Sequence, residues 1–218
     1  MTKQLLYVGD PMCSWCWGFA PTKRRIEEQC QGRAEVSLVL GGLRPFTTEP
    51  QDDQRKAFLR EHWQEIGEKS GQPFAFHLLD RDDFVYDTEP PSRAAVVVRD
   101  LEGQTTALNF FSELQRAFYA DNADVTEAST LIQLARNFGV DGEAFAAKLE
   151  TDEMRQATIE DFQLARSLGV TGFPTVVVKD DEGYAYLTVG YQPYEHLERL
   201  LDAWLDGNVE RRVPQPTQ

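Results

Sequence analysis

The sequence predicts an α/β fold: one mixed sheet built from a β-α-β half and a β-β-α half, with a large helical block inserted between them. Three observations carry this. Short β-rich apolar runs at Gln4–Gly9 and Glu35–Leu40 flank a helical segment, the pattern of a βαβ unit with parallel strands. From about Pro50 to Leu168 apolar residues recur at helical spacing, without a convincing strand pair. Two more β-rich runs, Phe173–Asp180 and Tyr184–Gly190, meet across Asp181-Glu182-Gly183 as a hairpin. Neither half covers its own strands, so the two are expected to share a sheet. The expected division is residues 1–45 and 165–218 for the sheet domain and 46–164 for the helical insertion.

The first strand is closed by Gly9-Asp10-Pro11. A single helix is expected from about Ser14 to Gln31, kinked at Pro21, which cannot donate to the Trp17 carbonyl. Gly32 stops it, and the second strand ends at Gly41-Gly42. Within the insertion, helices are expected over Asp53–Ser70, Pro91–Leu101, Thr105–Ala120 and Asp124–Phe138, with an irregular connection over Pro73–Pro90. Asp141 is expected to cap a short helix to Leu149, and Asp152–Leu168 leads back to the sheet. The last helix is Pro193–Leu205, with Leu197, Leu200, Leu201 and Trp204 on its apolar face. The tail Val213–Gln218 is expected to be unstructured.

Composition narrows the function. With 41% hydrophobic and 27% charged residues over 218 positions, the chain has enough apolar material for a sizeable core. Its net charge of -14 repels phosphate, which argues against nucleic acid and anionic membrane as main partners. The run Leu5-Leu6-Tyr7-Val8 is too short for the core of a secretory signal, and no stretch approaches a membrane span. A cytoplasmic setting is therefore expected. In a reducing compartment a lone cysteine pair is more often reactive than structural.

That pair is Cys13 and Cys16, in "GDPMCSWCWGFAP". A structural zinc site needs four ligands. Two would have to come from Cys30, His62, His77 and His196, which are scattered, so no metal is expected. A disulfide closing so small a loop constrains little chain entropy. The redox reading has a mechanism: the pair follows a predicted strand and opens a predicted helix, the context in which this spacing reads as thioredoxin-like. At the helix N-terminus, free N–H groups and the dipole favour the Cys13 thiolate. Lowering a thiol pKa from ~8.5 to ~7 takes about 2 kcal/mol, within reach of these effects. Cys13 is then the nucleophile and Cys16, one turn on, resolves the mixed disulfide. Ser14 and Trp15 between them tune the potential, which for dithiols of this kind runs from roughly -270 to -120 mV.

"DPMCSWCWG", "GGLRP" at 41–45 and "TGFPT" at 171–175 together resemble the DsbA family of thioredoxin-fold oxidoreductases, in its cytoplasmic FrnE-like, protein-disulfide-isomerase branch. The resemblance covers nearly the whole chain. It implies that Pro174 is a cis-proline facing the cysteines, and that the Phe173 backbone helps to hold an extended substrate. It places Trp15, Phe173, Pro174 and Thr175 at the substrate. It implies protein, peptide or small-molecule thiols and disulfides as partners, with glutathione a candidate co-substrate and no cofactor beyond the redox-active disulfide. The dipeptide Ser14-Trp15 departs from the Pro-His of DsbA, which implies a milder oxidant. Two alternatives come from other classes: a glutathione-dependent transferase or isomerase of the kappa-class or hydroxychromene-carboxylate isomerase type, and a non-catalytic peptide-binding holdase.

The remaining candidates have plainer readings. Trp17 is expected in the core with Trp15 exposed as a substrate rim. Cys30 reads as a bystander, and His62, His77 and His196 as surface or packing residues. Phe74, Phe76 and Phe84 line a groove or simply pack the insertion. Asp10 and Pro11 shape the approach to Cys13, and the acidic runs Asp80–Asp83 and Asp180–Glu182 read as solvated loops.

Overall fold

The computed structural model describes residues 3–208. Its sheet has four strands in the order β2-β1-β3-β4: β1 (Gln4–Gly9), β2 (Glu35–Leu40), β3 (Thr175–Asp180) and β4 (Gly183–Val189). β1 runs parallel to β2, with Tyr7 opposite Leu38, and antiparallel to β3, with Tyr7 opposite Val176. β3 and β4 form the expected hairpin, with a register shift between Val176 and Val177. The mixed sheet and both halves are thus as the sequence predicts. β1 is central, and alternation sends its side chains into two different layers. Leu5 and Tyr7 enter the main core; Val8 packs with Val39, Val177 and Ala165 on the other face.

The first helix departs from expectation. It is two helices, α1 (Ser14–Gly18) and α2 (Ala20–Cys30), separated at Phe19. Pro21 lies in the first turn of α2, where a missing N–H costs nothing, and the chain breaks instead of kinking. The Trp17 carbonyl that Pro21 leaves free accepts from Gln72 Nε2 at 3.1 Å, and Trp17 Nε1 donates to the Pro73 carbonyl at 2.9 Å. The break is therefore stitched to the chain that follows the next helix.

That helix, α3 (Asp53–Ser70), starts at Asp52, whose carboxylate accepts from the Arg55 N–H, and stops at Gly71, which takes φ 73°. Such a left-handed C-terminal residue is cheap only for glycine. A 3₁₀ turn at His77–Asp80 interrupts the irregular connection. Then come α4 (Glu89–Glu102), α5 (Gln104–Tyr119), α6 (Ala128–Phe138), α7 (Gly142–Leu149) and α8 (Asp152–Ser167), and after the hairpin α9 (Tyr194–Asp206). Asp141 caps α7 by accepting from the Glu143 and Ala144 N–H groups. α6 begins four residues later than expected. Asp124 there takes the Thr126 N–H and hydroxyl, building a local turn that competes with helix. β3 likewise begins at Thr175 rather than Phe173, because the cis Phe173–Pro174 bond belongs to the preceding turn. The expected unstructured tail lies outside the described residues.

One continuous hydrophobic core joins sheet and helices. It runs from Leu5 and Tyr7 through Phe19 and Phe111 to Trp63, Phe118 and Tyr119. Phe74 and Phe76 pack against Trp63, and Phe84 against Phe118, so these three rings are core contacts, the plainer of their two readings. Asp80, Asp82 and Asp83 are exposed and paired with Arg60, Lys56 and Arg81.

Candidate active site

The site sits where β1 ends, α1 begins and the Phe173–Pro174 turn enters β3. Cys13 is the N-cap of α1, with extended backbone (φ -89°, ψ 114°). Its Sγ accepts from the Cys16 N–H at 3.4 Å and stands 3.7 Å from the Phe173 carbonyl oxygen. The first contact is the N-cap interaction that serines and aspartates usually make, here made by sulfur. It puts a free helix N–H on the atom that would carry charge as a thiolate. Phe173 is joined to Pro174 by a cis bond, and the carbonyl that Cys13 meets is the one bonded to the Pro174 nitrogen. All three cysteines are free thiols.

Cys13 is 6% exposed and Cys16 is fully buried. Burial pushes the Cys16 thiol up, and its contact with Cys13 adds to this; the Asp10 backbone and the Tyr7 hydroxyl act the other way. The Tyr7 hydroxyl lies against Cys16 without a well-formed hydrogen bond to any described residue. The pair is thus asymmetric: Cys13 lines the cavity while Cys16 is fully buried, the order that attack and resolution require. Cys30 is also buried, and burial pushes it up to about 11, which leaves it inert.

A cavity of about 370 Å³ opens over Cys13. Ser14, Trp15, Leu43, Arg44, Arg55, His62, Tyr86 and Phe173 are among its lining residues. It gathers Cys13, Ser14, Trp15 and Phe173 from the expected site. Pro174 is not in its lining, and the Thr175 hydroxyl turns away to the Gly172 carbonyl at 2.8 Å. Trp15 is half-buried rather than exposed, packed against Tyr191 and His62, while Trp17 is in the core as expected. A larger groove of about 610 Å³ between α2, β2 and α5 has only the inert Cys30 as a thiol.

Three cavity residues escape the sequence reading. His62 packs as expected, stacking on Phe58 and meeting Trp15 edge-on, but it also lines the cavity; burial holds it below its ordinary value, hence neutral at pH 7. Arg44 and Arg55 face the same cavity, and neither has an ion-pair partner among the described residues. Arg44 falls within "GGLRP", the one signal that flagged this stretch. Nothing in α3 marks Arg55 or His62, because their partner is thirty or more residues away.

Asp10 is fully buried, accepting from the Met12 N–H at 2.9 Å and the Leu43 N–H at 2.8 Å. It ties the turn before Cys13 to the loop after β2. Desolvation raises its pKa from 3.8 to about 6 despite these bonds. The folded state therefore holds the proton more tightly than the unfolded chain. The stability this supplies is fully present below pH 3.8 and is lost as pH rises through about 6. The shift corresponds to about 3 kcal/mol. A carboxyl titration of Asp10 followed by NMR should have its midpoint near 6; a midpoint below 4.5 would refute the assignment.

Gly41 leads from β2 towards this loop. A Cβ there would stand 2.1 Å from the Phe173 ring. Gly41→Ala should displace Phe173 and its carbonyl from Cys13, lowering thiol–disulfide turnover about tenfold while costing only about 1–3 kcal/mol in stability. Unchanged turnover would show that Phe173 is not needed where it stands.

The DSBA-like thioredoxin domain profile matches residues 5–202. A candidate protein disulfide isomerase from Nitrosomonas europaea superposes with a TM-score of 0.88 at 36% identity, covering 96% of this chain and 100% of that one. The cytosolic disulfide reductase DsbM from Pseudomonas aeruginosa superposes with a TM-score of 0.78 at 26% identity, covering 93% and 98%, and has also been solved with GSH. The ClpXP adapter protein SpxH of Bacillus subtilis is 22% identical over 196 residues, which are 88% of this chain; the chain spans 64% of that protein's length. On the profile match and the Nitrosomonas likeness together, the chain belongs to the DSBA-like thioredoxin domain family.

Proposed function

We propose that the protein is a thiol–disulfide oxidoreductase in which Cys13 attacks and Cys16 resolves. The observation that carries this is the Cys13 sulfur at the head of α1, between the Cys16 N–H and the Phe173 carbonyl. In the reducing direction, the Cys13 thiolate attacks one sulfur of a substrate disulfide and releases the other as a thiolate. Cys16 then attacks Cys13 in the mixed disulfide, the Cys13–Cys16 bond forms, and the second substrate thiol leaves. The substrate gains two electrons and the two protons given up by the cysteines. Oxidation or isomerisation of a substrate uses the same steps in other orders. The Phe173 carbonyl and Trp15 flank the attacking sulfur and serve substrate positioning, with Pro174 and Thr175 holding the turn and Ser14-Trp15 setting the potential. In this reading residues 1–45 and 165–218 form the redox domain and 46–164 the insertion that walls its cavity, and the protein works in the cytosol, as DsbM does.

Glutathione is the co-substrate of this reading. The cavity over Cys13 is lined by Arg44 and Arg55, neither of which has an ion-pair partner among the described residues, in a chain of net charge -14. A carboxylate-bearing thiol suits them, and DsbM, a relative of the same fold, has been solved with GSH. Arg44→Ala with Arg55→Ala should raise the KM for glutathione about 5–10-fold and leave that for cysteamine within about twofold. Equal loss for both thiols would remove the arginines from recognition.

The test of the function is a redox titration: equilibrate the protein across glutathione ratios, trap thiols by alkylation, and count them. A two-electron transition confined to Cys13 and Cys16 is expected. If the pair never interconverts with a disulfide, the proposal fails.

A further inference from the structure

Met12 immediately precedes the attacking cysteine, and its carbonyl is fully buried. Two phenols converge on that one oxygen. Tyr119, the last residue of α5, donates at 2.6 Å, and Tyr86, from the connection before α4, donates as well. The two hydroxyl oxygens are 3.1 Å apart. Each phenol has a single proton. With both protons on the Met12 oxygen, the two hydroxyls have no hydrogen bond left to give each other, so the shared carbonyl is what holds them together. One donor would satisfy a buried carbonyl. The second exceeds what burial requires.

Both rings are fixed by aromatic packing, most of it within the inserted segment. Tyr119 lies 5.0 Å from Trp63 and 5.1 Å from Phe74 between ring centres, and stacks on Trp17; Tyr86 packs on Phe84 and Phe118. Tyr86 also lines the cavity over Cys13. Burial raises both phenol pKa values, so both remain neutral donors through the physiological range.

We propose that Tyr86 and Tyr119 are positioning residues for the nucleophile, which shift the Cys13–Cys16 balance towards the dithiol by capping the Met12 carbonyl. An uncapped carbonyl oxygen is the negative end of a peptide dipole, and this one belongs to the peptide that leads into the cysteine that must carry negative charge. Two O–H dipoles aimed at it cancel that field and fix the Met12–Cys13 peptide, whose N–H donates to the Asp10 carbonyl at 3.1 Å. A stabilised thiolate favours the reduced form and makes the disulfide more oxidising. The inserted segment thereby acts on the redox centre through two hydrogen bonds, beyond walling the cavity.

The inference rests on the thiol–disulfide reading, and one experiment separates the two. The wild type, Tyr86→Phe, Tyr119→Phe and the double variant are titrated against glutathione ratios, and Cys13 is alkylated with iodoacetamide at pH 7. Tyr194→Phe, which loses a hydroxyl bonded to Gln29 in the last turn of α2, beside Cys30 and outside the Cys13–Cys16 motif, is the control. The double variant should shift the equilibrium towards the disulfide by about fivefold and slow Cys13 alkylation by a similar factor. Each single variant should move both readouts in the same direction by less, and they carry the test if the double variant does not fold. A lowered melting midpoint with unchanged equilibrium and alkylation rate would make the tyrosines merely structural and overturn the inference. So would a shift of equal size in Tyr194→Phe. A wild type that forms no disulfide at any ratio overturns this inference and the proposed function together; a wild type that titrates beside unshifted variants overturns this inference alone.

Discussion

Cys13→Ser is expected to abolish thiol–disulfide exchange, and Cys16→Ser to stop it halfway. A serine hydroxyl at the head of α1 keeps the N-cap bond but has no anion at neutral pH and no adjacent base, so turnover should fall by at least ~10³-fold. In Cys16→Ser the Cys13 sulfur still attacks, because its surroundings, the residue 16 N–H and the Phe173 carbonyl, are backbone groups. What is lost is the second sulfur, held beneath it. The variant should then accumulate as a mixed disulfide, seen by mass spectrometry as one glutathionyl adduct that reductant removes. This result separates the classes left open by the sequence. A glutathione-dependent transferase or isomerase would turn over without Cys16, and a holdase would suppress aggregation equally well as Cys13→Ser. Full turnover of Cys16→Ser without an adduct would sink the resolving role.

The parts of the site legible in the sequence are those whose signal is local. "DPMCSWCWG" carries its own chemistry: a turn that ends a strand, a sulfur at the head of a helix, a second sulfur one turn later. "TGFPT" carries a proline at a strand entrance. The hairpin, the βαβ unit and the cap at Asp141 are local as well, and the structure has them. What sequence reasoning misses is set by long-range contact. Pro21 alone does not tell a kink from a break; the outcome depends on Gln72 meeting the Trp17 carbonyl from 55 residues away. His62 and Arg55 lie on an amphipathic helix whose polar residues look alike until one knows which face turns to Cys13. Tyr86 and Tyr119 look like any aromatic residues in a helical block. Their hydroxyls acquire a role only because two distant segments bring them to one carbonyl.

The largest stability effect is expected at Asp161, on α8. Its carboxylate takes both terminal nitrogens of Arg99, at 2.8 and 2.9 Å, and the Leu40 N–H at 3.0 Å; Arg99 also donates to the Leu38 carbonyl at 3.2 Å. The side chains are only 10% and 20% exposed. β2 is an edge strand, and this pair, with Gln104 on the Leu38 N–H, satisfies outward backbone groups of Leu38 and Leu40 that another chain would otherwise pair with. Asp161→Ala leaves a guanidinium without its counter-charge and a buried N–H without an acceptor. Breaking such a pair from one side costs about 3–5 kcal/mol, or roughly 10 °C in melting midpoint for a chain of this size. Replacing both partners with apolar residues, Asp161→Leu with Arg99→Met, should recover most of the charge penalty but not the Leu40 N–H bond. Asp161→Asn, which keeps an acceptor for Leu40 and loses the charge, should fall between. The consequence reaches the redox centre, because β2 continues into Gly41-Gly42-Leu43, and the Leu43 N–H is one of the two bonds that hold Asp10 behind Cys13. In Asp161→Ala, activity should therefore decline several degrees below global unfolding, as this strand end loosens first. If that variant lost less than 1 kcal/mol, or if activity and fold disappeared at one temperature, neither the edge nor its link to the cysteines would depend on the ion pair.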